Sequence, residues 1–213
     1  MKSLIINEIF YSIQGESITS GLPTVFIRLT GCPLRCQYCD TSYAFTEGKK
    51  MMLNQVITAV KKFNCMNITI TGGEPLSQKN TTDLVDILIS HSYNVSIETS
   101  NAVSIKGIND LAVIVLDIKT PDSDESEKNI IDNYNYLKKE DQIKFVICTV
   151  DDYEWAKCYI KKYNLSDICN ILMSPSHGQM DIKILAEKVL KDNLPIRLQT
   201  QLHKIIWNDQ RGH

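Results

Sequence analysis

The sequence of 213 residues has no long apolar run, no basic block and no even set of cysteines. No stretch approaches the roughly 18–20 apolar residues that a membrane span requires, so no membrane partner is expected. Lys and Arg total 23 against 25 Asp and Glu, a formal net charge of −2. No cluster of basic residues interleaved with aromatics offers a phosphate footprint, which argues against a nucleic-acid partner. Met1-Lys2-Ser3 leads into a short apolar stretch that stops at Glu8, a poor match to a secretory leader. Seven cysteines, three of them clustered, make a poor disulfide framework. They fit a reducing, cytoplasmic compartment better. No repeat with a period of about 20–50 residues is visible. The chain is 43% hydrophobic and 23% charged, an ordinary soluble composition, and its length suits a single domain over 1–213 with a sizeable core.

What the chain does have is Cys32-Pro33-Leu34-Arg35-Cys36-Gln37-Tyr38-Cys39, a C-x3-C-x2-C spacing with no histidine or fourth cysteine close by. A structural zinc site is closed by four protein ligands. A cubane iron–sulfur cluster also needs one outer ligand per iron, so three thiolates leave one iron open, and an open metal position is where substrate chemistry takes place. Cys65, Cys148, Cys158 and Cys169 are scattered and read as small apolar residues. A zinc knuckle with a distant fourth ligand and a simple iron–sulfur electron carrier remain as alternatives.

Periodicity predicts strands at Leu4–Ile13, Thr24–Leu29, Asn67–Thr71, Val95–Thr99, Val113–Ile118, Ile143–Val150, Ile171–Met173 and Ile196–Gln199. Helices are expected over 51–63, 81–91, 128–139, 152–163 and 181–192, with Asp151 and Glu154 as an N-cap pair. The polar segment Pro121–Lys128 reads as loop. Apolar strands alternating with helices argue an α/β fold with a parallel sheet covered by helices. About six parallel strands are too few for a closed eight-stranded barrel, which leaves an open, partial (β/α) barrel with helices outside. The polar motifs Cys32–Thr41, Gly72–Pro75, Glu98–Asn101, Asp117–Pro121, Ser174–Gln179 and Gln199–Lys204 all fall just after predicted strands, on the edge where such folds build sites.

The cysteine spacing, followed by Thr71-Gly72-Gly73-Glu74-Pro75, resembles the radical S-adenosylmethionine superfamily. The resemblance implies a 4Fe-4S cluster on Cys32, Cys36 and Cys39, with S-adenosylmethionine chelating the open iron. It also implies a cofactor cradle of Gly72, Gly73, Glu74, Glu98, Lys119, Thr120, Pro121, Met173, Ser174, Pro175 and Ser176. Glycines allow close backbone approach, and exposed carbonyls with one carboxylate can hold the cofactor ammonium. The chemistry implied is reductive cleavage to a 5′-deoxyadenosyl radical that takes hydrogen from substrate, with electrons from a donor such as flavodoxin or ferredoxin.

Two flanking features, Ile13-Gln14-Gly15-Glu16 ahead of Arg28 and Cys39-Asp40-Thr41, resemble the 7-carboxy-7-deazaguanine synthases, and the resemblance extends from Ile9 to Trp207. That family turns 6-carboxy-5,6,7,8-tetrahydropterin into 7-carboxy-7-deazaguanine, a queuosine precursor, with ring contraction and loss of ammonia. Its implied substrate residues here are Ile13, Gln14, Gly15, Glu16, Arg28, Thr71, Gln201 and His203, with Thr41 on Mg2+, a homodimer, and a tail to His213 that closes the site. The residue types suit a carboxylated pterin. Gln14 donates and accepts, Glu16 accepts, and Arg28 can grip a carboxylate with two N–H groups. Thr41 can lend magnesium an oxygen, although a helix cap is an ordinary role for such a threonine. Arg197, Gln199 and Gln201 share one face of the last predicted strand, and His203 continues it if the strand persists. A glycyl-radical activating enzyme is the main enzymatic alternative. It shares the cysteine spacing and lacks the Gln-Gly-Glu and Asp-Thr pairing.

Overall fold

The computed structural model describes residues 2–208 and 210–213. Its strands are β1 (Ser3–Ile13), β2 (Pro23–Leu29), β3 (Lys49–Met52), β4 (Asn67–Gly72), β5 (Asn94–Ser100), β6 (Val113–Ile118), β7 (Gln142–Ile147), β8 (Asn170–Pro175) and β9 (Arg197–Leu198). Its helices are α1 (Leu53–Val60), α2 (Thr81–Ser90), α3 (Val150–Lys162), α4 (Ile182–Asp192) and α5 (Leu202–Trp207). All nine strands form one sheet in the order β3-β1-β2-β4-β5-β6-β7-β8-β9. Its edges β3 and β9 do not meet, so the sheet is open. From β2 through β9 every neighbouring pair is parallel, while β1 runs antiparallel to both β2 and β3. Seven strands are therefore parallel against about six expected, and the seventh is the two-residue β9.

Strict alternation gives the sheet two different faces. Val25, Ile27 and Leu29 of β2, Ile68 and Ile70 of β4, and Val95 and Ile97 of β5 join Val56, Val60, Leu84 and Leu88 of α1 and α2 in one apolar cluster. Ile114, Leu116 and Ile118 of β6, Ile143, Phe145 and Ile147 of β7, and Ile171 and Met173 of β8 meet Tyr153, Ala156, Ile160 and Leu185 of α3 and α4 in a second. Each of these large side chains, fully removed from water, contributes about 1.5–3 kcal/mol. The residues between them, including Arg28, Thr69, Thr71, Ser96, Glu98, Asp117, Lys144 and Ser174, point to the other face. This is unusual for parallel strands, which commonly bury apolar residues on both sides. Here the inner face carries these polar groups beside Phe26, Val115 and Val146, and is the wall of a site.

Several boundaries differ from expectation. Met51 and Met52 belong to β3, paired with Leu4 and Ser3 of β1, so the helix predicted over 51–63 starts at Leu53. It ends in a 3₁₀ turn over Lys61–Phe63. The helix predicted over 128–139 is absent. The segment carries a 3₁₀ turn over Ile131–Tyr136. Its asparagines explain this, because their amides bond elsewhere: Asn129 brackets both backbone groups of Lys119, and Asn133 holds Ile105 N, Val103 O and Asn101 Oδ1. β7 stops at Ile147, and Thr149, not the Asp151–Glu154 pair, caps α3 by accepting from the amide of Asp152. The last strand ends at Leu198, and Gln201 is the N-cap of α5, so Arg197, Gln199, Gln201 and His203 do not share a strand face.

The loop-like Pro121–Lys128 stretch consists of two 3₁₀ turns bracing the cysteine loop. The Ser123 carbonyl accepts from the Gln37 amide, and the Glu125 carboxylate accepts from the Arg35 amide. No helix among the described residues is long and apolar enough to cross a membrane.

Candidate active site

A cavity of about 380 Å³ opens at the C-terminal ends of the parallel strands, a size suited to small-molecule ligands. Cys32, Cys36 and Cys39 line one wall. The loop carrying them leaves β2 and is pinned at its root by the segment after β4. The amides of Gly73 and Glu74 donate to Leu29 O and Gly31 O, at 3.1 and 2.7 Å. A Cβ on Gly72 would sit 2.3 Å from Leu29 O, and one on Gly73 2.3 Å from Gly31 O and 2.9 Å from Cys32 Cβ. These glycines therefore let two backbones touch, and what they touch is the base of the cysteine loop. Arg35 closes the loop from outside by donating to Cys32 O and Leu34 O, at 2.8 and 2.7 Å, while lying over the Phe45 ring.

The three cysteines are unpaired with one another or with other cysteines. Burial pushes the Cys32 thiol up and that of Cys36 to about 11. Among the described residues no three His, Cys, Asp or Glu side chains converge as they would around one metal ion. Three thiols on one loop, spread along a cavity wall without a fourth ligand, suit the corners of a cubane better than a single zinc. The same region holds polar atoms that are buried without a partner, Tyr38 OH and Asp117 Oδ1. Such groups are costly unless a ligand or water meets them, and they fit a polar cofactor beside the cluster.

The opposite wall is a polar cage. Gln14 ends the β1 edge and donates to Thr69 Oγ1 and to Glu98 Oε1, both at 3.2 Å. Glu98 Oε2 also accepts from Thr71 Oγ1 at 3.1 Å. Glu16 accepts from Lys144 Nζ at 2.7 Å and from Gln201 Nε2 at 2.8 Å. Burial alone would raise the Glu16 carboxyl, yet Lys144, Gln201 and His203 hold it down to about 2. Burial dominates at Glu98 and pushes it up. Lys144 lies 3.5 Å from Asp117, and Asp117 lies 3.1 Å from Lys119. Lys119 in turn faces the Tyr38 ring in the cysteine loop. Four alternating charges thus run from Glu16 to the cysteine loop.

Arg28 donates from Nε to Glu8 at 2.7 Å, which leaves its outer nitrogens for the cavity that it lines. Glu8 also accepts from Tyr43 OH at 2.9 Å. The end of the chain covers this corner. Arg211 pairs with Glu47 at 2.9 Å and lies 3.7 Å from the Tyr43 ring centre, and Lys204 reaches Asp40 at 3.4 Å.

Of the residues singled out from sequence, Ile13, Gln14, Gly15, Glu16, Arg28, Thr41, Thr71, Gly72, Gly73, Glu98, Lys119, Ser176, Gln201 and His203 line the cavity with the cysteines. Glu98 stands with Gln14 and Thr71 rather than with the cofactor set. Glu74 is fully buried outside the lining. Its carboxylate accepts from Thr99 Oγ1, the Ser100 amide, Ser100 Oγ and the Leu76 amide, so the acceptor sites expected to hold an ammonium are taken by protein donors. Thr120 is buried on Asp152 and Val146 O, Pro121 opens an exposed turn, and Met173 faces the helices in the core. Ser174 and Pro175 lie at the end of β8, outside the lining. Thr41 precedes a 3₁₀ turn without a side-chain capping bond, which sets aside the ordinary cap role. Lys144 was missed. Its signal was a lone charge between Ile143 and Phe145 in an apolar strand.

Comparison with known proteins matches residues 26–173 to the Radical SAM superfamily. The chain is 40% identical over 213 residues to the 7-carboxy-7-deazaguanine synthase of Chlorobaculum tepidum, covering 98% of this chain and 97% of that one. It is 34% identical over 211 residues to the protein of the same name from Thermoplasma acidophilum, covering 98% and 100%. The fold resembles the crystal structure of QueE from Escherichia coli with a TM-score of 0.79 at 21% identity, over 94% of this chain and 95% of that one. Streptococcus suis SuiB bound to S-adenosylmethionine shares the core with a TM-score of 0.55 at 15% identity, over 80% of this chain and 45% of that one.

Proposed function

From the premise that the chain belongs to the 7-carboxy-7-deazaguanine synthase family of the Radical SAM superfamily, we propose that it converts 6-carboxy-5,6,7,8-tetrahydropterin to 7-carboxy-7-deazaguanine with loss of ammonia. The observation that carries this reading is the placement of Gln14, Glu16, Arg28, Gln201 and His203 in one cavity with the cysteine triplet. Cys32, Cys36 and Cys39 would hold a 4Fe-4S cluster, and Lys119, Ser176, Gly72 and Gly73 would border S-adenosylmethionine. When bound, these groups supply one electron and a 5′-deoxyadenosyl radical that removes a hydrogen atom from substrate.

The protein's own work is positioning. Glu16 and Gln14 offer acceptors and a donor to the pyrimidinone edge. Arg28, anchored on Glu8, presents its outer nitrogens to the substrate carboxylate. The Thr41 hydroxyl would join Mg2+ near that carboxylate. His203, with its pKa lowered by burial against the opposing pull of Glu16 and Asp40, would meet substrate as neutral imidazole. The tail tied through Arg211 and Lys204 would keep water out. A cytoplasmic homodimer reduced by a flavodoxin- or ferredoxin-type donor completes the reading.

The test is anaerobic reconstitution followed by incubation with reductant, S-adenosylmethionine, Mg2+ and the tetrahydropterin acid. The deazapurine acid is expected. Formation of 5′-deoxyadenosine without it would keep the radical chemistry and remove the substrate.

A further inference from the structure

We propose that Lys144 is a positioning residue for substrate recognition, fixing Glu16 as an anion against the pyrimidinone edge of the ligand. The inference rests on the pterin reading of the site and adds to it a cavity-lining residue that acts through Glu16.

Lys144 lies in the middle of β7, between Ile143 and Phe145, both with no exposure. In register it faces Asp117 of β6 on one side and Leu172 of β8 on the other, so its backbone is held from both flanks. Its ammonium reaches across the sheet's inner face to Glu16 Oε2 at 2.7 Å and to Asp117 Oδ2 at 3.5 Å. The charged or polar groups facing Glu16 come from several elements. They are Lys144 of β7, Gln201 and His203 at the start of α5, and Glu98 of β5. Arg28 of β2 faces Glu98, and Asp117 of β6 stands behind Lys144.

The chemistry asks for an ionised Glu16. A 2-amino-4-oxopyrimidine edge presents a ring N–H beside an exocyclic N–H. Two parallel donors match the two oxygens of a carboxylate, as an arginine fork does. Each Glu16 oxygen already accepts one protein hydrogen bond and keeps a lone pair for the ligand. A protonated carboxyl would set a donor against a donor. The pocket that excludes water, with Glu98 as a second acid alongside, favours that protonated form. Lys144 is the lysine whose charge directly offsets it at Glu16. Asp117 keeps Lys144 in place, and Lys119 balances Asp117, so the neutralisation is local.

The test measures the Kd of 6-carboxypterin, an unreactive analogue, on cluster-loaded protein with S-adenosylmethionine, from about pH 6 to about pH 9. The ratio of variant to wild-type Kd at each pH cancels the ligand's own ionisation. For K144Q the ratio is expected to be about tenfold or more at the acid end and to fall toward one as pH rises and Glu16 ionises unaided. K144R keeps the charge and should stay close to wild type. E16Q should bind weakly with a pH-flat ratio, and E16Q/K144Q should match E16Q, because Lys144 acts through Glu16. A pH-flat ratio for K144Q, or a further loss on adding K144Q to E16Q, overturns the proposal. The double variant replaces an ion pair with an amide pair of similar size. Its comparison with E16Q therefore decides the matter even where K144Q alone fails to fold. Wild-type protein that binds no pterin at any pH removes the substrate reading and this proposal with it, whereas a pH-flat ratio removes this proposal alone.

Discussion

A Cβ on Gly15 would stand 2.1 Å from Nδ1 of His203, so the imidazole at the start of α5 packs directly on the backbone of the Gln14–Glu16 turn. The amide of Leu202 also donates to Gly15 O at 2.9 Å. Gly15→Ala must displace the imidazole, which lines the cavity. A misplacement of about 1 Å in a site costs up to about a hundredfold in rate, and kcat/KM is expected to fall on that scale. The melting temperature should move little, since the clash is relieved by a partly exposed helix of six residues. A large drop in melting temperature with unchanged kcat/KM would show that Gly15 serves the fold and not the site.

The contrast between Gly15 and Lys144 shows what sequence could reveal. The Gln14–Glu16 turn, the cysteine loop and the glycine pair were legible because short motifs fix their own local geometry. The sheet was legible because β-branched residues mark its strands, alternating in Asn67–Gly72 and in a near-continuous run in Val113–Ile118. Lys144 was hidden because a single charge in a strand has meaning only once its face is known. Glu74 looked like a ligand-holding carboxylate because nothing local shows that Thr99 and Ser100, on the next strand, supply its partners. The helix expected over 128–139 is absent for the same reason. Asn129 and Asn133 take partners in the loops after β5 and β6, which no local window contains.

Replacing any of Cys32, Cys36 or Cys39 by Ala should abolish the cluster, while Cys158→Ala and Cys169→Ala should keep it, because Cys158 is exposed on α3 and Cys169 lies in the apolar cluster beneath α3 and α4. Reconstituted wild type is expected to hold about four irons and four sulfides per chain. Iron analysis and the electron paramagnetic resonance spectrum of the reduced protein check this. One tightly held zinc per chain would count against the cluster.

Thr41→Ala should leave that spectrum intact and raise the Mg2+ concentration needed for half-maximal turnover, because Thr41 offers its hydroxyl to the cavity and spends none of it on capping the following turn. Titrating Mg2+ against product formation measures the shift. Loss of the cluster instead would assign Thr41 to the cysteine loop, whose Cys39 Sγ lies 3.9 Å from its hydroxyl.

Glu125→Ala should loosen the cysteine loop without touching the cavity. The carboxylate accepts from the Arg35 amide, and its removal frees one N–H in the loop that carries the cluster ligands. Removal of a negative charge beside that loop raises the reduction potential of the cluster it would hold. An upward shift in the midpoint potential is therefore expected, with iron content near wild type. An unchanged potential would reduce Glu125 to a surface acid.

Acid should expose the Glu16–Lys144 pair through stability. The Glu16 carboxyl is held at about 2 in the fold against an ordinary 4.5. A depressed carboxylate contributes stability that is complete above the ordinary value and is lost as pH falls toward the folded one. Stability from this pair is thus full at neutral pH, declines below about pH 4.5 and is gone below about pH 2. Its full size is about 3 kcal/mol, of which about 2 kcal/mol is lost by pH 3. Urea unfolding of wild type and Glu16→Gln at pH 6 and pH 3 isolates the term, because cluster loss in acid is common to both. Wild type should lose about 2 kcal/mol more than the variant between the two conditions. Equal losses would mean that the ion pair between β7 and the Gln14–Glu16 turn does not persist in solution, and Lys144 would then have no means of holding Glu16 charged.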